Sequence, residues 1–156
     1  MIKKINGTKT FKEFFYDKNN NLTKLIKEDG TVVEYSYDNL NRQVSTTVNN
    51  QEEQKYSYDN LSRLTQSIDY NQNRKTNTVD YVYDELNNIT KSIQNGKVID
   101  KQYDNNSNLL NIQTNAYEVS NQYNNLNLLN KIELNSNEIA NFTYNKDKRL
   151  TKVSKA

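Results

Sequence analysis

Cysteine and histidine are both absent from this 156-residue chain. Their absence removes disulfides, thiol nucleophiles and Cys/His zinc sites together. Proline is absent too, and there are only three glycines. Hydrophobic residues make up 33% of the chain, and 12 of these are tyrosines, whose tips are polar. A globular domain is about 45–50% apolar with glycine counted, so a thick two-layer aliphatic core is not expected. No apolar run approaches the roughly 20 residues of a membrane span, and no membrane insertion is expected. The first ten residues, Met-Ile-Lys-Lys-Ile-Asn-Gly-Thr-Lys-Thr, lack the apolar stretch of a signal peptide. Any export signal would lie outside this segment.

A chain this polar raises disorder as an alternative, because little burial cannot offset ordering entropy. Three features oppose it: a net charge of only +2, an aromatic content of 10%, and no proline. The unusual residue is asparagine, present at 29 positions. Asparagine tolerates left-handed backbone and closes turns with its side chain. Many turns in an ordered chain imply many short strands. Charge is uneven: residues 1–12 and 146–156 each carry +4, leaving −6 between them. Neither end is a dense basic block, so both are read as lysine-bearing sheet edges that resist edge-to-edge association. Nucleic acid is not an expected partner.

One unit recurs along the whole chain. Tyr16-Asp17, Tyr37-Asp38, Tyr58-Asp59, Tyr83-Asp84, Tyr103-Asp104, Tyr123-Asn124 and Tyr144-Asn145 follow one another at 21, 21, 25, 20, 20 and 21 residues. Six residues after the tyrosine stands Leu22, Leu64, Ile89, Leu109, Leu129 or Leu150, with Gln43 the exception. Before it, apolar and aromatic residues alternate, as in Val33, Tyr35, Tyr37 and in Val79, Tyr81, Tyr83 or Ala140, Phe142, Tyr144. A period of two places each trio on one face of a strand. Leu64 and Ile68 would share a face of either a strand or a helix; the short distance between turn signals favours a strand.

Two kinds of turn join these strands. Asn6-Gly7, Asp29-Gly30 and Asn95-Gly96 favour type I′ hairpins, which need positive φ at both central residues. The corresponding places elsewhere are Asn49-Asn50, Asn71 to Asn73, Asn115-Ala116 and Asn135 to Asn137. The other turn follows the tyrosine, as in Asp38-Asn39-Leu40-Asn41. Residues 71–77 form the longest insertion and are expected to protrude as a loop. The fold class is therefore all-β: an antiparallel up-and-down meander of about fifteen short strands from seven repeats, a single-layer sheet that twist should curl into a shell segment or barrel-like form. Residues 1–156 form a single repeat array with half a repeat at each end.

Tyr58-Asp59-Asn60-Leu61-Ser62-Arg63-Leu64-Thr65 resembles the Tyr-Asp-x-x-Gly-Arg-Leu-Thr pattern of the YD-repeat, or Rhs-type, family. Tyr16 to Thr23, Tyr83 to Thr90 and Tyr144 to Thr151 are similar to it as well, and the resemblance covers essentially the whole chain. The glycine of the pattern is replaced by Asn20, Asn41, Ser62, Asn87, Ser107, Asn127 and Lys148. The family includes bacterial Rhs and wall-associated polymorphic toxins, toxin-complex shells and teneurins. Its repeats form a β-sheet that spirals into a hollow shell around a toxic domain, or presents an adhesive surface for which carbohydrate binding has been proposed. The toxin-bearing members carry a proline-rich, self-cleaving core, which this sequence lacks. The resemblance thus implies a non-catalytic piece of shell wall of a secreted or cell-surface bacterial protein. The implied partners are other repeats or a toxin domain of a larger protein; cell-surface carbohydrate and self-association through edge strands are the alternatives.

No catalytic, cofactor-binding or metal-binding residues are assigned. The repeated aspartate could be imagined as a catalytic acid, but it begins a turn, where its side chain can accept the N–H two residues on. Asn124 and Asn145 keep that acceptor without the charge, so Asp59→Asn is expected to be nearly silent. Asp17 to Asn21 with Glu28 has the span of a calcium loop, yet Leu22 stands where glycine is needed and strands flank it. Tyr70 and Tyr117 fall outside the Tyr-x-Tyr pattern, and Tyr70, beside the insertion, is the expected exposed ring for a sugar. The sequons Asn6-Gly7-Thr8 and Asn60-Leu61-Ser62 follow from the abundance of asparagine.

Overall fold

The structure, a computed structural model, describes residues 2–3, 11–70 and 76–155. Its elements are β1 (Ile2–Lys3), β2 (Glu13–Tyr16), β3 (Leu22–Ile26), β4 (Val32–Tyr37), β5 (Gln43–Val48), β6 (Gln51–Tyr58), β7 (Leu64–Tyr70) and β8 (Thr76–Tyr83). They continue as β9 (Ile89–Gln94), β10 (Lys97–Tyr103), β11 (Leu109–Gln113), β12 (Glu118–Tyr123), β13 (Leu129–Leu134), β14 (Asn137–Tyr144) and β15 (Leu150–Ser154). All fifteen strands are hydrogen-bonded in chain order, from β1 to β15, without a crossover. The expected meander is what the chain forms. Two compact blocks divide it, residues 1–79 and 80–156.

In the first block the alternation becomes a ladder. Val33 lies opposite Leu25 on one side and Val48 on the other. Flanked twice by aliphatic groups, it is the most buried hydrophobic residue described, at 5% exposure. Tyr35, Tyr37, Tyr56 and Tyr58 are half-buried on the same alternation, while Ser36, Lys55 and Ser57 between them are exposed. Gln43, the exception to the aliphatic position, donates from Nε2 to Thr46 Oγ1 at 2.8 Å, and Thr46 donates to Gln54 Oε1 at 3.4 Å. A polar trio thus replaces an aliphatic one and satisfies itself, which a half-buried face tolerates.

The second block repeats the arrangement. Tyr81 and Tyr83 are half-buried and Val82 between them is 48% exposed. Ala140, Phe142 and Tyr144 are half-buried, whereas Ile139 and Thr143 face outwards. Each Tyr-Asp strand ends at a bulge: Tyr103 pairs with Leu109, Tyr123 with Leu129 and Tyr144 with Leu150, each after a shift of register. Among the described residues neither block has a thick core; burial is concentrated on one face of a ladder.

The turns correct part of the sequence reading. Asn49-Asn50, Asn95-Gly96 and Asn135-Ser136 do have positive φ at both positions, as a type I′ hairpin requires. At Asp29-Gly30 only Gly30 is left-handed, with φ 83°. There Gly30 N–H donates to Lys27 O and Lys27 N–H to Thr31 O, at 3.0 and 2.8 Å, a type I turn closed by one left-handed residue. Asp29 Oδ1 accepts the Thr31 N–H at 2.9 Å, which holds Asp29 out of the left-handed region. Asn115-Ala116 is not left-handed either; Thr114 Oγ1 accepts the Ala116 and Tyr117 N–H groups at 3.2 and 3.0 Å and organises that turn instead. Of the expected 71–77 loop, Thr76 and Asn77 belong to β8. Residues 71–75, with the Asn71 to Asn73 turn, and the Asn6-Gly7 turn with its sequon lie outside the described residues.

Candidate functional site

The repeated residues converge on the turn after each tyrosine. In all seven repeats the Asp or Asn N–H donates to the carbonyl four residues on, and the N–H three residues on donates back to its carbonyl. The residue three places on must then be left-handed. It is Asn20, Asn41, Ser62, Asn87, Ser107, Asn127 or Lys148, with φ between 58° and 67°. These are the seven glycine positions of the pattern, and even lysine is held there. The side chain completes the turn. Asp59 Oδ1 accepts the Leu61 and Arg63 N–H groups, both at 2.9 Å, and Oδ2 accepts Arg63 Nε at 2.7 Å. Asp17, Asp38, Asp84 and Asp104 repeat this, with Asn21, Arg42, Asn88 and Asn108 as the side-chain donors. Asn124 and Asn145 keep the two backbone bonds through Oδ1.

These bonds set the charge state. The Asn21 side chain and N–H hold Asp17 below the usual carboxylate range, and Asn108 does the same for Asp104. For Asp59 the Arg63 N–H is the main cause. Partial burial pushes Asp38 up, but the Arg42 and Leu40 donors outweigh it and the net direction is down. A carboxylate saturated with donors is a poor base, and the sequence expectation of a turn role accounts for every one of these partners. The Asp17 oxygens that a calcium loop would use are engaged by Asn19 and Asn21, between β2 and β3.

Four of the repeat tyrosines are more than ladder rungs. Tyr37 Oη donates to Leu22 O at 2.9 Å, Tyr58 Oη to Gln43 O at 2.9 Å, Tyr123 Oη to Leu109 O at 3.1 Å and Tyr144 Oη to Leu129 O at 2.8 Å. In these four the acceptor is the first residue of the strand after the preceding tyrosine, so each of the four rings bolts its repeat to the one before. Desolvation raises the pKa of Tyr37 and Tyr123, keeping the donor proton in place. Adjacent turns are also tied. Asn41 Oδ1 accepts Asn19 Nδ2 and Asn21 Nδ2 at 2.9 and 2.8 Å, and Asn127 Oδ1 accepts Asn106 Nδ2 at 3.3 Å. Arg42 donates from Nη1 to Asp59 O and Ser62 Oγ at 3.0 and 3.1 Å, and its guanidinium lies 4.6 Å from the centre of the Tyr58 ring.

The remaining pattern residues are placed as well. Thr23, Thr90 and Thr151 donate from Oγ1 to Phe15 O, Val82 O and Thr143 O at 3.3, 3.3 and 3.0 Å, pinning the bulge. At the opposite turns, Asn49 Oδ1 accepts the Val32 N–H and Asn135 Oδ1 the Glu118 N–H, at 2.9 and 2.8 Å, lengthening each ladder by one rung. A turn role for asparagine is legible in the sequence, but neither this rung nor the tyrosine bolt is, because both join residues 14 to 17 apart.

Two leftover tyrosines exchange their expected places. Tyr70 is half-buried at the end of β7, in phase with Leu64 and Ile68. Tyr117 is the exposed one, at 46%, because it follows the turn at Thr114. It borders an open cleft of about 420 Å³ with Gln94, Lys97, Val98, Asn115 and Thr114. No cluster of three or more Asp or Glu that could hold a metal occurs among the described residues.

A β-repeat protein is thereby defined, whose hairpins are bolted within each block through tyrosine and turn. Residues 16–53 match the family described as RHS Repeat, and the turn bonds of that stretch recur in the later repeats. Among solved structures it is similar to a Tc holotoxin pore of Photorhabdus luminescens with a mutated TccC3, at 15% identity and a TM-score of 0.55. It is similar to a TcdB2-TccC3-Cdc42 structure at 14% and 0.56, and to a TcdB2-TccC3-TEV structure at 13% and 0.54. Each match covers 91% of this chain and 10% of the other. The chain therefore spans about a tenth of those proteins, and the likeness is one of fold. No curated protein matches the sequence.

Proposed function

We propose that the chain is a length of non-catalytic shell wall in a larger secreted or cell-surface protein, where it stands between further repeats and encloses or presents another domain. One observation carries the reading: the described contacts of the repeated residues are structural, the aspartates and threonines closing their own hairpin and Tyr37, Tyr58, Tyr123 and Tyr144 joining it to the one before. A carboxylate that already accepts three donors and is held below its ordinary pKa, as Asp59 is, makes a poor general base. The likeness to toxin-complex structures over 91% of the chain supports the same role. The test is protease protection in the full-length protein that carries these repeats. A domain enclosed by the wall resists trypsin under native conditions and is cut once the wall is unfolded by urea. Equal cleavage under both conditions contradicts enclosure.

A second reading, carbohydrate binding, is favoured by Tyr117. Its exposed ring beside the amides of Gln94 and Asn115 pairs a stacking surface with hydrogen-bonding groups. A glycan array probed with the chain and with Tyr117→Ala separates the readings: binding that the substitution abolishes supports an adhesion module, and no binding leaves the wall alone.

A further inference from the structure

The asparagine rung that closes the junction between two hairpins is open at one place. Asn49 and Asn135 each stand twelve residues after a repeat tyrosine, and they bond Val32 and Glu118, five residues before it. In both, the asparagine N–H donates to that residue's carbonyl and Oδ1 accepts its N–H. Asn115 and Val98 occupy the same places around Tyr103, yet no such bond joins them. Thr114 has taken over the turn. Its N–H donates to Tyr117 O at 2.9 Å and its Oγ1 accepts the Tyr117 N–H at 3.0 Å. Asn115 is therefore not left-handed, as Asn49 and Asn135 are. β10 pairs with β9 back to Lys97, but with β11 only from Asp100. Lys97 and Gln94 close the β9–β10 tip, so Val98, next along, turns its N–H and C=O away from β9 and into the gap. That gap is the cleft of about 420 Å³ beside Tyr117, within the range of roughly 300–1,000 Å³ usual for small-ligand sites.

The two sides of the Thr114 to Tyr117 turn differ in charge. On the first, Lys97 is exposed and no carboxylate among the described residues pairs with it, whereas Lys91 on β9 is held by Asp100 at 3.2 Å. On the second lies a polar cleft of about 350 Å³, bordered by Glu118, Asn135 and Ser136. We propose that this open junction binds an acidic oligosaccharide, with an anionic sugar beside Lys97 and a neutral sugar across the turn beside Glu118. The anionic sugar stacks on the Tyr117 ring and bonds the Val98 main chain and the Asn115 amide. The inference rests on the carbohydrate reading and names the ligand class of that site. A main-chain N–H and C=O covered by a ligand need partners, and sugar hydroxyls supply both a donor and an acceptor where the rung is missing. An ammonium facing an anionic group forms a charge-assisted bond, while a second anion beside the Glu118 carboxylate would be repelled. The main chain of Val98 is too short an edge for an added peptide strand, which draws its affinity from a row of such bonds.

The probe is a hyaluronan hexasaccharide, which alternates acidic and neutral sugars, titrated into the chain by calorimetry. Saturable binding is expected, weakened about tenfold by Lys97→Gln and abolished by Tyr117→Ala. Both side chains are exposed, so neither substitution should move the urea midpoint. The same hexasaccharide with its carboxylates reduced to alcohols should also bind about tenfold more weakly. An oligogalacturonate of equal length, acidic at every unit, should bind more weakly than hyaluronan. A second arm closes the junction. Thr114→Gln with Ala116→Gly gives this turn the Gln-Asn-Gly sequence of residues 94–96. It should restore the Asn115 rung, slow amide exchange at Val98 and abolish binding, although Lys97 and Tyr117 remain. No binding of the hexasaccharide, equal or tighter binding of the galacturonate, or binding that survives with Val98 protected overturns the site. Equal affinity for the native and carboxyl-reduced sugars, lost in Tyr117→Ala, overturns the acidic assignment and leaves the carbohydrate reading standing. A chain that binds nothing on the glycan array removes both.

Discussion

At Asp59 one carboxylate oxygen accepts two backbone N–H groups while the other faces the Arg63 guanidinium. Asp59→Asn keeps the first pair and turns an amide donor towards a guanidinium donor, so the exchange is not silent as composition alone suggests. Its midpoint in urea should fall, Asp59→Ala should fall further, and Asn124→Asp, with Leu128 in the partner's place, should barely move. Equal midpoints for all three would remove the side-chain pairing from the account. Lys148 sits at φ 61°, a conformation that costs a residue with a Cβ roughly 1 kcal/mol. Lys148→Gly should therefore stabilise the chain by about 0.5–1 kcal/mol in chemical denaturation. Asn41→Gly should not, because Asn41 Oδ1 accepts two amides from the preceding turn.

Among the elements, the turns differ in what they ask of pH. Hydrogen bonds hold Asp17, Asp38, Asp59 and Asp104 below the ordinary value of 3.8. A carboxylate with a depressed folded pKa contributes stability that is complete above its unfolded pKa and lost as pH falls through the folded value. The Asn124 and Asn145 turns have no such proton to take up. Hydrogen exchange below pH 3.8 should then loosen the Asp17, Asp38, Asp59 and Asp104 turns relative to neutral pH, while the Asn124 and Asn145 turns keep their relative protection. Uniform loosening would contradict the assignment. The strands and the number of turns were legible in the sequence, since period two and the Asn-Gly and Asp-x-x-Asn signals are local. Which turn type Asp29-Gly30 adopts was not, because Asp29 spends its side chain on Thr31. Nor was the exposure of Tyr117 over Tyr70, which depends on where β7 stops.

At the scale of the molecule, only Val33 among the described hydrophobic residues is buried, and none is fully so. Stability therefore comes from contacts between successive repeats, as in other repeat proteins, where it is approximately a sum of nearest-neighbour terms. The bond that joins neighbours is the tyrosine hydroxyl on the strand before it, and no reading of a single repeat could reveal it. That bond explains why the repeat keeps tyrosine where phenylalanine would serve the ladder equally. The most direct test is a Tyr→Phe series read by urea unfolding. Tyr37→Phe, Tyr58→Phe, Tyr123→Phe and Tyr144→Phe should each cost about 1 kcal/mol, whereas Tyr117→Phe, exposed and off the pattern, should cost nothing measurable. Indistinguishable stabilities across all five variants would contradict the claim that these four tyrosines bolt their repeats to the ones before.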